Sequence, residues 1–250
     1  MKWLRSCVAA FRFLTIIPLP TSFGSAAEDL DDSVIFFPIV GLVIGVLAWG
    51  GAWLLWQTLP PFVAAIALTI LLFSFSGALH LDGLADTADG FFSSRPREKI
   101  LEIMRDSRIG VMGVVALWMI LMLKVSSLSS LSGAEAAKAA FLMPLAGRCT
   151  LVIMMALLPY VRPEGGLGTR LYSRKTAWSA LSGVIILYLL SYLIQGVPGL
   201  VLASLVVITL LLFCVFSYRK IGGATGDTLG AACEISEASV VFFMAAGLWC

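Results

Sequence analysis

The chain has 250 residues, of which 60% are hydrophobic and only 13% charged, with a formal net charge of +2 and a mean hydropathy of +0.98. That composition excludes a soluble globular domain and defines an integral membrane protein. Nucleic acid is not among the expected partners.

Residues 1–20 predict an N-terminal interfacial helix, with Leu4, Cys7, Val8, Phe11, Leu14 and Thr15 at helical spacing and Lys2, Arg5 and Arg12 elsewhere on the wheel. Arg12 interrupts what would be the apolar core of a signal peptide, so a cleaved leader is the weaker reading. Pro18 and Pro20 end the helix. The acidic run Glu28-Asp29-Leu30-Asp31-Asp32 reads as a solvated lead-in whose acids face the positive dipole end of the first span, in preference to a metal site.

Long apolar stretches follow at 34–56, 61–79, 109–131, 136–160, 177–194, 197–216 and 228–250. Most approach the ~20 residues that cross a ~30 Å hydrocarbon core. The expected fold is therefore all-α: a polytopic membrane bundle of about seven transmembrane helices plus the interfacial helix, forming one domain over 1–250. No period of 20 to 50 residues signals tandem repeats.

The second stretch runs into His80-Leu81-Asp82-Gly83-Leu84-Ala85-Asp86-Thr87-Ala88-Asp89-Gly90. In a helix, Asp86 falls roughly 40° and Asp89 roughly 20° from Asp82, so the three carboxylates share one face. Like charges this close need a cation, and oxygen ligands suit Mg²⁺. His80, the single histidine, is a candidate general base or a hydrogen-bonded structural group. The loop beyond contains Arg105-Asp106-Ser107-Arg108 before Ile109-Gly110. There Arg105 and Arg108 suit phosphate oxygens, and Asp106 suits a metal site begun by Asp82.

Lys124 and Arg148 lie inside apolar stretches. Arg148 is expected to face the bundle interior and meet an acid or a substrate phosphate. Last comes Gly222-Gly223-Ala224-Thr225-Gly226-Asp227-Thr228-Leu229-Gly230. Gly223, Thr225 and Gly226 suit a phosphate held by backbone amides at a helix start, although the loop lacks the order of a Walker A motif. Asp227 and Glu234, about 20° apart on the wheel, suggest a second carboxylate pair, and Glu237 follows inside the span.

Basic residues fix the orientation. With the N-terminus inside, Lys2, Arg5, Arg12, Arg95, Arg97, Lys99, Arg105, Arg108, Arg162, Arg170, Arg174, Lys175, Arg219 and Lys220 fall on the cytoplasmic side, and Lys138 alone falls outside. Cys7, Cys149, Cys214, Cys233 and Cys250 show no paired spacing, which argues against disulfides and zinc.

These motifs resemble one family, the cobalamin synthases, adenosylcobinamide-GDP ribazoletransferases of vitamin B12 assembly. The resemblance is carried by Phe13-Leu14-Thr15-Ile16-Ile17-Pro18, the His80–Gly90 motif, Met104–Gly110, Gly147-Arg148 and Gly223–Ala231. It implies a Mg²⁺-dependent attack of α-ribazole, or its 5′-phosphate, on the phosphorus nearer the cobinamide of adenosylcobinamide-GDP, with GMP leaving. Asp82, Asp86, Asp89 and Asp227 would ligate metal, with Asp106, Glu234 and Glu237 next; Arg105, Arg108 and Arg148 would hold phosphates, and His80 or an unligated aspartate would be the base. Implied partners are the two substrates, membrane lipid, other B12-assembly enzymes and a second copy of the chain; the implied location is the cell inner membrane, with the site cytoplasmic. A CDP-alcohol phosphotransferase fits less well, because its aspartates follow an Ala-Arg pair whereas Ala85 here precedes Asp86. An ion-coupled transporter would need polar residues on both faces, while the acids here crowd one side.

Overall fold

The computed structural model describes residues 2–20, 24, 27–162, 167–172 and 176–247. Arg174, Lys175, Cys250 and the expected end of the last span lie outside the described residues. Twelve α-helices are present among those described. The first is α1 (Lys2–Leu14), whose inward face is Ser6, Ala9, Ala10 and Leu14. Of the expected apolar stripe, Leu14 and Thr15 are buried, Cys7, Val8 and Phe11 are half-buried and Leu4 is exposed. Small residues pack close against the bundle beside Leu14, while Trp3 and Leu4 face outward. The short α2 (Ala27–Asp31) brings the acidic run back onto α1, where Asp32 pairs with Lys2 at 3.1 Å. Asp32 makes no side-chain cap, so the acids tie α1 down rather than capping the first span.

A 3₁₀ turn at Ser33–Phe36 leads into α3 (Phe37–Thr58). After Pro60, α4 (Pro61–Phe75) is only 15 residues, or about 22 Å, too short to cross alone. The chain then breaks at Gly77 and Ala78, both with positive φ (58° and 60°), and α5 (Leu79–Phe91) leaves at 92° to α4. The straight span expected over 61–79 is therefore a broken one. The left-handed turn at Ala78 costs about 1–2 kcal/mol, and its result is that α5 turns its acidic motif into the protein instead of out of the bundle.

Beyond α6 (Arg97–Ile103) come α7 (Val111–Ser130), α8 (Gly133–Leu157), the short α9 (Leu167–Leu171), α10 (Thr176–Gln195), α11 (Val197–Ile221) and α12 (Gly226–Ala245). Among the described residues, six helices are long and apolar enough to cross a membrane, or seven segments if α4 and α5 count as one span. The chain is thus an all-α, multi-pass membrane protein. Helix α8 is the axis, enclosed over almost its whole length by α3, α10 and α12. Its alanines let these neighbours approach closely, as membrane helices require when lipid offers no hydrophobic gain. Outward faces carry large apolar side chains such as Trp49, Trp53, Trp118 and Trp178.

Charge inside this apolar frame is neutralised in place. Lys124 of α7 donates to Glu234 (2.7 Å) and Glu237 (2.8 Å) of α12, and Arg148 of α8 donates to the other oxygen of Glu237. All four side chains are buried. Two cations and two anions balance, so the cluster locks three helices together without net buried charge. Lys124→Met strands Glu234 and leaves Glu237 to Arg148 alone, and is expected to destabilise the protein by about 3–5 kcal/mol. Lys99→Met, which removes an exposed pair with Glu102, is expected to cost under about 1 kcal/mol. Thermal unfolding of the detergent-solubilised protein checks both.

Candidate active site

The acidic motif is placed by a close crossing of α5 and α12. A Cβ on Gly83 would lie 2.7 Å from the Asp227 carbonyl oxygen and 3.0 Å from its Cα, and one on Gly230 would lie 3.2 Å from the His80 carbonyl oxygen. Only glycine at both points lets these backbones touch. Asp82 and Asp86 of α5 consequently face Asp227 at the start of α12. Neither Asp82 nor Asp86 has an ion-pair or hydrogen-bond partner for its side chain among the described residues.

Asp227 is held by Arg162, whose Nη2 donates to its Oδ2 at 2.7 Å and to the Met104 carbonyl at 3.3 Å. Arg162 Nε is buried and lacks a partner among the described residues. A short parallel bridge fixes this arginine: the amide of Val161 donates to the Ala224 carbonyl at 3.0 Å, and the amide of Ala224 to the Pro159 carbonyl at 2.8 Å. In the sequence alone Arg162 reads only as a cytoplasmic loop charge. Its signal was position, because it follows the end of the α8 span by five residues, as Asp227 follows the end of α11 by six.

The glycine loop is partly structural. Thr225 caps α12, its hydroxyl accepting from the Thr228 amide at 3.3 Å while its own amide donates to the Thr228 hydroxyl at 2.8 Å. Gly223 is buried, with its carbonyl accepting from Ser217 at 2.6 Å. Of the three residues expected to cradle phosphate, Gly226 alone is exposed and lines a cavity. The others support the loop from behind.

Several expected ligands belong elsewhere. Asp89 accepts from the amides of Gly110 (2.6 Å) and Gly113 (2.8 Å), so it caps the N-terminus of α7, where its charge opposes the helix dipole. Asp106 sits in the exposed 104–110 loop and takes a bidentate bond from Arg108, at 3.0 and 2.7 Å. That guanidinium holds its carboxyl well below the usual carboxylate range. Asp106 thus folds the loop rather than completing a site with Asp82. Arg105 is exposed on the same loop, near Met104. Glu234, Glu237 and Arg148 belong to the buried ion cluster, so Asp227 and Glu234 do not act as a pair: each is matched to a different cation. His80 is buried beneath the acids, beside that cluster, with Nδ1 unpartnered among the described residues.

Two recesses meet at Asp82. One, about 190 Å³, is enclosed by α1, α3, α5, α8, α9 and α12 and has Asp82, Asp227 and Gly226 at its polar edge. The other, about 670 Å³, is open between the segment after α1, the bend before α5, and α7. Phe13, Leu79 and Asp82 line both. Among the described residues, no three histidine, cysteine, aspartate or glutamate side chains gather closely enough to cage a metal by themselves.

Fold and cleft define a class: a multi-pass helical membrane protein whose unpaired carboxylates, arginine and helix N-terminus share one polar site at one end of the bundle. Its family follows from similarity over nearly the whole chain. The family model described as cobalamin-5-phosphate synthase matches residues 6–245, and the chain belongs to that family. It is 40% identical over 237 residues to an adenosylcobinamide-GDP ribazoletransferase of Acetivibrio thermocellus, covering 95% of this chain and 96% of that protein. It is 37% identical over 244 residues to one from Desulfitobacterium hafniense, covering 95% of each, and 40% identical over 232 residues to one from a Roseiflexus strain, covering 91% and 84%. No solved structure matches the chain.

The two kinds of aspartate separate by experiment. Asp89→Ala removes a cap and is expected to cost about 1–2 kcal/mol of stability. Asp82→Ala, which breaks no contact, is expected to stay within about 0.5 kcal/mol of wild type in the same thermal unfolding measurement.

Proposed function

We propose that the chain transfers the adenosylcobinamide phosphate group of adenosylcobinamide-GDP to α-ribazole, or to its 5′-phosphate, at the cleft between α5 and α12. The products are GMP and adenosylcobalamin or its phosphate, in the last steps of vitamin B12 synthesis. The observation that carries the reading is the pair of unpartnered carboxylates, Asp82 and Asp86, held beside Arg162 and the N-terminus of α12. Family membership favours neither a CDP-alcohol phosphotransferase nor a transporter.

A Mg²⁺ ion fits this donor set. Mg²⁺ is commonly held by one or two carboxylates together with substrate phosphates and water, not by an all-protein cage. Asp82 and Asp86 would hold it, Asp227 being matched to Arg162. Bound there, the ion supplies neutralisation of charge on the pyrophosphate.

The remaining steps fall to the chain's own groups. Arg162 exchanges part of its bond to Asp227 for a phosphate oxygen, and its unpartnered Nε adds a second donor. Amides at the start of α12, beginning at Gly226, favour the same anion. A secondary ribose hydroxyl of the nucleoside, the 5′-oxygen being the one that carries the phosphate in the alternative acceptor, forms a bond to the cobinamide-side phosphorus, and the bond from that phosphorus to the bridging oxygen breaks. GMP leaves with the bridging oxygen, and the nucleophile's proton passes to a carboxylate oxygen of the cluster. A cytoplasmic site on the inner membrane is supported by the basic residues flanking the cleft and by the nucleotide nature of the substrates.

The test is product formation by purified membranes given adenosylcobinamide-GDP and α-ribazole, with and without Mg²⁺. Wild type is expected to release GMP only with the metal. Asp82→Ala and Arg162→Ala are each expected to lose at least about a hundredfold in rate. Absence of product from folded wild type with Mg²⁺ overturns the reaction; full activity of Asp82→Ala overturns the site.

A further inference from the structure

We infer that the enclosed recess beneath Asp82 seats the benzimidazole ring of the acceptor nucleoside, leaving the open recess to the corrinoid donor. The inference rests on the reaction proposed above and assigns the two substrates to the two sides of Asp82.

Size is the first argument. An apolar cavity of about 150 Å³ holds a benzene molecule. The enclosed recess is about 190 Å³, which suits a bicyclic aromatic ring but not a corrin macrocycle with its adenosyl group. The open recess of about 670 Å³ has no such ceiling.

Polarity is the second. Away from Asp82, the enclosed recess is walled mainly by Leu14, Phe37, Leu151, Met155 and Leu229. The guanine of the donor would bring several amide and amine groups into that wall, and each one left unpaired carries its full desolvation penalty. Dimethylbenzimidazole is flat, carries methyl groups at its far edge and has one free ring nitrogen in the nucleoside. It asks for an apolar wall and one donor.

His80 offers that donor. It lines this recess and is 3% exposed; its Nδ1 is buried without a partner among the described residues, so turning the ring brings a free N–H to the recess. A buried polar atom without a partner is rare. Lone nitrogen and lone donor match in number.

Direction is the third. The polar edge of the recess is Asp82, Asp227 and Gly226. A nucleoside whose base lies among the leucines points its ribose toward that edge, which brings the ribose ring hydroxyls to the carboxylates and to the wall shared with the open recess.

The test begins with binding to the full-length protein in detergent, without donor or Mg²⁺, so that it does not depend on turnover. 5,6-Dimethylbenzimidazole is expected to displace α-ribazole, and guanosine is expected not to. Met155→Trp fills the recess and is expected to weaken α-ribazole binding at least tenfold and to raise its KM similarly, while the KM for adenosylcobinamide-GDP stays within twofold. Leu151→Phe, a smaller change, should act in the same direction and serves if the tryptophan variant fails to fold. His80→Phe is expected to narrow the preference for α-ribazole over a nucleoside whose base lacks the ring nitrogen. Displacement by guanosine, or a filled recess that raises the donor KM alone, overturns the assignment and leaves the reaction standing. Ribazole binding by a protein that forms no product would leave the assignment standing and remove the reaction.

Discussion

The contact on which the site depends is the crossing of α5 and α12 at Gly83 and Gly230. Membrane helices gain little from burying apolar side chains away from lipid, so close approach has to come from small residues and direct backbone packing. Here the approach reaches backbone contact on both sides. Its consequence is electrostatic: Asp82 and Asp86 are brought against Asp227 without any attraction among the carboxylates themselves. Packing, together with the Arg162–Asp227 ion pair, opposes their repulsion. The site stays negative and open to cations because steric fit holds it together.

The lower part of α12 works in the opposite sense. Two turns beyond Asp227, Glu234 and Glu237 are neutralised by Lys124 and Arg148, and removing any member would leave charge in a dry interior. One helix therefore carries acids under two regimes. Asp227 at its head lies at the edge of a recess and meets an arginine fixed by the loop bridge to Ala224, whereas those in its middle are fully matched. The matched group stiffens the helix that the unmatched group needs to be in register. His80 lies between the two.

Much of this was legible in the chain. Apolar length gave the spans, the wheel put the three motif aspartates on one face, and the costly charges inside spans were marked as needing partners. What escaped the pattern was tertiary. Asp89 shares the face of Asp82 but lies near the end of α5, where it meets the amides of another helix, and no spacing within the motif reveals that. Nor does the motif show that Glu234 and Glu237 are claimed by a lysine more than a hundred residues away. The bend at Gly77 and Ala78 was hidden for a different reason: a single glycine in an apolar run is ordinary in membrane helices, and Ala78 shows no sign of its left-handed turn. Arg162 was passed over because positive charge outside a span is the default.

That bend explains why the acids can serve two recesses. Had α4 run straight through residue 79, the motif would have projected beyond the bundle as a solvated helix end, with its carboxylates free to separate. Turning by 92° lays α5 across the end of the bundle, so that one edge of the helix faces the enclosed recess against α8 and α12 and the other faces the open one against α7. Asp82 then stands at the wall between them, next to Phe13 and Leu79. A transfer between a large donor and a small acceptor needs such a wall: each substrate requires its own space, but the reacting oxygen and phosphorus must approach to about 3–3.5 Å. The left-handed turn at Ala78 costs about 1–2 kcal/mol, and under the proposed assignment it is what sets two unlike molecules on either side of one carboxylate.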